Sequence, residues 1–187
     1  MVSRSLVLGY HGCDQGLLDS VLLGKQDLKP SQNDYDWLGH GVYFFEDSAN
    51  RALAWAGIST QSKRSRIRTP AVIGAVIDLG NCLNLADTEH LSLVKKAHEG
   101  AQALYDGDLS ALPKNRGLQR CLDCEVMRLL HFHRENTGHR PFDTVRGFFI
   151  EGQPLYENSG FRELDHVQIC VRNHKCILGY FLPRNSR

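Results

Sequence analysis

The chain has 187 residues, 42% of them hydrophobic, which is enough to bury a full core and corresponds to a single domain over residues 1–187. Its formal net charge of +1 excludes a global electrostatic field that would recruit nucleic acid or an anionic membrane. No apolar run approaches the roughly 18 residues that span a bilayer, and the first apolar stretch is too short and glycine-rich for a signal peptide, so we expect a cytoplasmic protein.

Three short β-favouring runs predict strands in the first half of the chain: Leu6–Tyr10, Val42–Phe45 and Ala71–Leu79. The first run leads into a predicted turn at His11 and Gly12. A short helix is predicted over Leu17–Leu23, and Gly24 closes it. After the second strand, Ser48 stands where its hydroxyl can cap the helix that follows.

The middle of the chain predicts two helices, over Asp87–Tyr105 and Leu118–Glu135. β-favouring runs then resume: Thr144–Ile150, Val167–Val171 and Cys176–Leu182. We expect the last two to pair with each other around Asn173 and His174. Strands, helices and strands again predict an α+β fold with a mixed or antiparallel sheet and a helical insert at about 87–135.

Two strand signals end in glycine together with a ring-bearing side chain. Glycine lets a ligand approach the backbone closely because it has no Cβ, and the glycines concerned are Gly12, Gly39 and Gly41. His11 and Tyr43 offer hydrogen-bonding and stacking groups beside them. This combination predicts a pocket for a flat heteroaromatic ring.

Three pieces of the chain, YHGC, GHGVYF and DHVQICV, resemble the ADP-ribosyltransferase fold in their order and spacing. The similar branch is that of diphtheria-like toxins and the poly- and mono-ADP-ribose polymerases. It carries a His-Gly pair, a Gly-x-Tyr-Phe strand and a third residue, usually Glu, on a late strand; Gln168 stands at the Glu position here. The resemblance implies a split sheet with flanking helices, and transfer of ADP-ribose from NAD to a protein or nucleic-acid acceptor, without a metal. Toxin, phage-defence and housekeeping roles stay open.

The resemblance also implies roles for individual residues, with His11, Tyr43 and Gln168 as the catalytic set. His11 matches the histidine that holds the adenosine-side ribose, Gly12 the glycine whose backbone binds the nicotinamide carboxamide, and Tyr43 the tyrosine that stacks on nicotinamide. Ser48 and Trp55 fall near the further nicotinamide-lining positions.

Two loops acquire roles from the same resemblance. Residues Ser31–Leu38 occupy the place of the loop that closes over NAD. Residues Gly152–Asp165 precede the third motif, where the family chooses its acceptor, and Phe161 is an aromatic side chain suited to that contact.

Gln168 departs from the family pattern because it carries no charge. An ionised acceptor forms hydrogen bonds about twice as strong as a neutral one. Gln168 can therefore suffice for a slow transfer, or one of three nearby carboxylates can replace the missing charge: Glu151, Glu157 or Asp165. Alternatively, the chain is a non-catalytic module that binds NAD or ADP-ribose.

Other groupings allow different interpretations. The basic cluster Lys63–Arg68 is typical of a solvated loop, and the alternative is an RNA- or DNA-interacting protein that contacts phosphates there. Cys13 beside His11 is the one candidate pair for a thiol hydrolase. Four potential zinc ligands fall within one predicted helix, which favours the helix over a metal site: Cys121, Cys124, His131 and His133.

Overall fold

The structure, a computed structural model, describes residues 5–63, 65–104 and 112–184. These residues form an α+β fold, as predicted, with four helices and an open, mixed sheet of seven strands, one more than the six predicted. The strands are β1 (Leu6–Asp14), β2 (Val42–Glu46), β3 (Pro70–Asp78), β4 (Cys82–Asn84), β5 (Thr144–Phe149), β6 (His166–Val171) and β7 (Ile177–Phe181). The helices are α1 (Gln15–Leu22), α2 (Ala49–Ser59), α3 (Thr88–Leu104) and α4 (Cys121–Asn136). None of these described helices has the length and apolar character needed to cross a bilayer.

Most element positions agree with the sequence prediction, and β1 is the main exception. The strand continues to Asp14, so His11 and Gly12 lie within it and the predicted turn is wrong. The reason is long-range pairing, since β1 pairs with β3 along all nine of its residues. Helix α2 begins directly after Ser48, but in the described structure the Ser48 side chain forms no capping hydrogen bond. Helices α3 and α4 fill the predicted insert; Tyr105, the predicted helix end, lies outside the described residues.

The predicted pairing of β6 with β7 is also wrong. The sheet order is β4-β5-β6-β2-β1-β3-β7, which places β7 at the edge, next to β3. Asp143 directs the connection, because its carbonyl accepts from the backbone amides of Arg172 and Asn173 and its carboxylate accepts from the Asn173 side chain. A short 3-10 helix over His174–Cys176 then leads into β7. These contacts fix the connection between β6 and β7 in a conformation other than a tight hairpin, and the two strands, both within the described ranges, do not pair.

The sheet divides between β1 and β2, both of which are fully described. They pair at two positions, Gly9 with Glu46 and Tyr10 with Phe45. Beyond this point β1 continues along β3 while β2 continues along β6. We call the place where the strands part, beside His11 and Tyr43, the β1/β2 opening.

Each face of the sheet has its own core. One face packs under α1 and is centred on Phe44, Ile73 and Ile169, all fully buried. The other face packs under α3 and α4, with Met127 and Phe149 among its buried residues. Helix α2 covers β1 and β3 on this second face and also contacts β2.

Candidate functional site

His11 lies at the β1/β2 opening. Its Nδ1 atom is 2.8 Å from the carbonyl oxygen of Tyr43, and its ring meets Phe44 edge-on at 5.9 Å. Strand alternation places this ring on the face that carries Phe44, opposite to the face that carries the Tyr43 side chain. Burial lowers the pKa of His11 by more than the hydrogen bond to Tyr43 raises it, so the imidazole is neutral at pH 7.

The glycines of the two motifs serve close packing. A Cβ at Gly12 would overlap the carbonyl oxygen of Ala52 and stand 3.1 Å from Cβ of Ala56, both on α2. A Cβ at Gly41 would stand 2.5 Å from Sγ of Cys170. The room left by these missing side chains is therefore filled by the protein, contrary to the prediction that it admits a ligand. At Gly39, the positive φ of 82° favours glycine on conformational grounds.

Tyr43 fixes the end of the segment over residues 31–38. Its hydroxyl donates to the carbonyl oxygen of Gly39 at 2.7 Å and accepts from the amide of Leu38 at 2.9 Å. Burial raises the pKa of this phenol far above its usual value, which keeps the hydroxyl protonated. The hydroxyl is thus committed to the protein, and only the ring of Tyr43 remains for stacking on a ligand.

The segment over residues 31–38 is held in a defined conformation by Asp36. The buried carboxylate of Asp36 accepts hydrogen bonds from the Ser31 hydroxyl and from the backbone and side chain of Asn33. Trp37 packs edge-on against Phe149, with ring centroids 3.9 Å apart. The segment over residues 31–38, predicted to close over NAD, therefore has an ordered conformation beside β5 and β6.

Gln168 lies on the same face of the sheet as Tyr43. Its β2 partner is Phe45, and Tyr43 is two residues before Phe45, so both side chains lie on that face. The amide nitrogen of Gln168 is 2.9 Å from Nε2 of His166. Of the three predicted catalytic residues, the structure brings His11 into contact with the Tyr43 main chain and gives Tyr43 and Gln168 a common face, while the His11 ring lies on the other.

Arg51 extends from α2 towards β2 and the segment after β5, although no sequence motif singled it out. Its guanidinium lies 5.2 Å from the centre of the Phe45 ring and donates to Glu151 at 2.7 Å. The side chain is 12% exposed, and its Nε and Nη1 atoms are buried with no hydrogen-bond partner in the described part of the chain. Helical periodicity could have found Arg51, because it lies one turn before Trp55 on the same side of α2.

Ser48 and Trp55 both belong to the α2 region. Ser48 immediately precedes α2, and Trp55 is 43% exposed on the side of the helix that carries Arg51. An exposed indole offers a stacking surface.

The three candidate carboxylates differ in their surroundings. Glu151 pairs with Arg51. Burial lowers the pKa of His166, the side chain that contacts Gln168, and the nearby charge of Glu151 acts in the opposite direction. The Asp165 carboxylate accepts from the backbone amides of Glu151 and Arg162. Glu157 lies in the exposed loop that follows β5, as does Phe161, which is 66% exposed. The charges of Glu151 and Asp165 therefore both reach His166, the partner of Gln168, whereas Glu157 is exposed in the loop.

The geometry gives little support to the other interpretations, namely a thiol nucleophile, a zinc site and a basic nucleic-acid contact. Cys13 is buried, and burial raises the pKa of its thiol to about 11, the opposite of what an activated nucleophile requires. Cys121, Cys124, His131 and His133 lie on the single helix α4, as predicted. In the basic cluster, Lys63, Arg66 and Arg68 are exposed, while Arg64 lies outside the described residues.

The chain is similar to the uncharacterised protein MJ0359 of Methanocaldococcus jannaschii, with 26% identity over 193 aligned positions that cover 95% of this chain and 87% of that protein. No family model matches the chain. No solved structure matches it either. The function is therefore inferred from the geometry of the site itself.

Proposed function

We propose that this protein is an NAD-dependent ADP-ribosyltransferase that cleaves the nicotinamide–ribose bond and transfers ADP-ribose to an acceptor. The observation that supports the proposal is the β1/β2 opening, with the His11 ring on one face and Tyr43 and Gln168 on the other. An elongated dinucleotide lying across the opening would reach both faces.

The proposed reaction breaks the glycosidic bond heterolytically. Nicotinamide leaves with the bonding electron pair, positive charge develops on the ribose, and an acceptor nucleophile attacks the anomeric carbon and loses its proton. Hydrogen-bond acceptors near the ribose stabilise this charge. Gln168 provides a neutral acceptor. The Glu151 carboxylate lies near His166, the partner of Gln168, but the positive charge of Arg51 offsets its negative charge.

Arg51 and Trp55 give the proposed site its affinity for a nucleotide. Two nitrogens of the Arg51 guanidinium, Nε and Nη1, are buried without a partner in the described structure, and a guanidinium suits a diphosphate. Trp55 offers an exposed ring on the same side of α2. These features favour a ligand that combines negative charge with a flat heterocycle, as NAD does.

Release of nicotinamide tests the proposal. Purified protein is incubated with NAD, alone and with cell lysate as a source of acceptors, and free nicotinamide is quantified by chromatography. We expect Tyr43→Ala to weaken NAD binding through loss of the ring, and Gln168→Ala to lower turnover more than binding. Gln168→Glu should raise turnover, because an ionised acceptor replaces a neutral one. Absence of nicotinamide release in every condition would overturn the proposal.

One observation favours a second candidate, a module that binds NAD or ADP-ribose without reaction. It is the neutral side chain at position 168, since the family places a carboxylate there. For such a module, NAD would raise the melting temperature while no nicotinamide appears, and Gln168→Glu would not create activity.

A further inference from the structure

His166 and Gln168 form a hydrogen bond whose direction depends on one proton. The Nδ1 atom of His166 is 2.6 Å from the carbonyl oxygen of Leu164, and its Nε2 atom is 2.9 Å from the side-chain nitrogen of Gln168. A carbonyl oxygen only accepts, so Nδ1 carries a hydrogen. The Gln168 amide nitrogen only donates, so Nε2 accepts and the imidazole is neutral.

If His166 were protonated, the side-chain amide of Gln168 would have to turn so that its oxygen and nitrogen exchange positions. In an imidazolium, Nε2 carries a hydrogen and needs an acceptor, so the carbonyl oxygen of Gln168 would have to face His166. The amide nitrogen would then be the free end of Gln168. The charge state of His166 therefore decides whether Gln168 offers an acceptor or a donor to a ligand.

The surroundings of His166 favour the neutral form. The ring is 6% exposed and lies between Phe45, at 5.0 Å, and Phe149, which stacks on it at 5.4 Å with an angle of 8°. Burial lowers the pKa of His166 most strongly, and the nearby Arg51 guanidinium lowers it further. The hydrogen bond to Leu164 and the charges of Glu151 and Asp165 act in the opposite direction, but burial prevails.

We propose that His166 is a positioning residue that holds the amide nitrogen of Gln168 and so presents the Gln168 carbonyl oxygen to the ribose of NAD. This inference rests on the proposed function. It explains how a glutamine can act at the position of a glutamate. When His166 holds the amide nitrogen, the carbonyl oxygen is free to accept hydrogen bonds, as a carboxylate oxygen would. Protonation of His166 would turn the Gln168 amide, so that its nitrogen instead of its carbonyl oxygen would face the ribose.

The first experiment measures the arrangement without any reaction. Two-dimensional ¹⁵N–¹H spectra of the histidine rings report which nitrogen carries the hydrogen. At pH 7.5 we expect His166 to carry it on Nδ1, and Gln168→Ala to shift the Nε2 resonance, because the amide donor is lost. A hydrogen on Nε2, or an Nε2 resonance that ignores Gln168→Ala, would overturn the proposal.

The second experiment separates positioning from binding. His166→Phe keeps a ring between Phe45 and Phe149 but removes the acceptor nitrogen. We expect kcat for nicotinamide release to fall about tenfold while KM for NAD changes less than about twofold, because the lost contact orients Gln168 rather than NAD. The wild-type rate should also fall as His166 becomes protonated at acidic pH, and the variant should lack that part of the pH profile. Equal kcat in both proteins, or an acidic limb that persists in the variant, would overturn the proposal.

His90→Phe is the control, because His90 is a histidine outside the site, partly buried, whose ring nitrogen also bonds the backbone, at Asn84. It should leave kcat and the pH profile unchanged, and a loss equal to that of His166→Phe would overturn the positioning role. Were the wild-type protein to release no nicotinamide, the proposed function would fail on its own, and the ring spectra would still decide whether His166 holds Gln168.

Discussion

The imidazole of His11 lies where β1 and β2 part, with its Nδ1 atom 2.8 Å from the carbonyl oxygen of Tyr43. Because that oxygen accepts, Nδ1 must donate, which agrees with a neutral ring. The contact ties the two halves of the sheet together just beyond their last main-chain pair. His11 therefore stabilises the fold whether or not a ligand is bound.

His11→Ala should lower the free energy of unfolding by about 1–3 kcal/mol, because it leaves the Tyr43 carbonyl without its partner. Urea denaturation monitored by circular dichroism measures the change. His11→Asn, whose side-chain N–H stands near the position of Nδ1, should recover part of the loss. Equal stability of His11→Ala and wild type would show that this hydrogen bond does not hold the opening.

The helices and most strands could be predicted from the sequence because their signals are local. Apolar periodicity and end signals place α1, α3 and α4 within a few residues, and Gly24 ends α1 with a φ of 66°, as expected. The partners of strands are set by distant contacts. Nothing within Cys176–Leu182 indicates that β7 joins β3, because Asp143 fixes the connection from more than 30 residues away.

In the candidate site, too, local patterns could be predicted from the sequence while long-range contacts could not. The motifs pointed to His11, Tyr43 and Gln168, which lie on β1, β2 and β6, but they placed His11 in a turn and did not show which face each side chain occupies. That depends on the true length of β1 and on the register. Arg51 escaped notice because its contact with Glu151 arises only when α2 and the segment after β5 come together in space. His166 lies two residues before Gln168 on the same strand, so strand alternation could have placed both side chains on one face.

Gly12→Ala should destabilise the protein by about 1–3 kcal/mol, since the new methyl group overlaps Ala52 and must displace α2. The effect is measured by thermal and urea unfolding. Gly57→Ala is the matched control within α2, where an added Cβ meets nothing within 4 Å. There we expect a gain of about 0.5–1 kcal/mol from helix propensity. Similar effects of the two changes would contradict the close packing of α2 on Gly12.

Tyr43→Phe tests the link between β2 and the segment over residues 31–38. The change removes the hydroxyl that bridges Leu38 and Gly39 and leaves the Leu38 amide unpaired, so we expect a loss of about 1–3 kcal/mol. Hydrogen exchange should accelerate at the Leu38 amide in particular. The ring is retained, so any rise in melting temperature that NAD produces should persist in Tyr43→Phe and disappear in Tyr43→Ala. Loss of the NAD effect in Tyr43→Phe would mean that the hydroxyl, rather than the ring, serves the ligand.

His131 makes the stability of the fold depend on pH. Its ring is 4% exposed, and neither ring nitrogen has a hydrogen-bond partner among the described residues. Burial, aided by Arg172 and Arg134, lowers its pKa to about 3, whereas the unfolded chain binds the proton near pH 6.5. Between these values the unfolded state holds more protons, so stability falls as the pH falls from about 6.5 towards 3.

His131→Leu should remove this dependence and also relieve the burial of two unpaired polar atoms. Between pH 7.5 and pH 5 the wild type should lose about 2 kcal/mol more than the variant, since one pKa unit corresponds to about 1.4 kcal/mol. At pH 7.5 the variant should be as stable as wild type or more stable by about 1 kcal/mol. His131→Gln separates the two effects, because it cannot titrate near neutral pH but keeps a buried polar group: it should flatten the pH dependence without the gain at pH 7.5. Urea unfolding at both pH values measures each difference, and a pH dependence equal to wild type in both variants would show that His131 does not remain neutral in the folded protein.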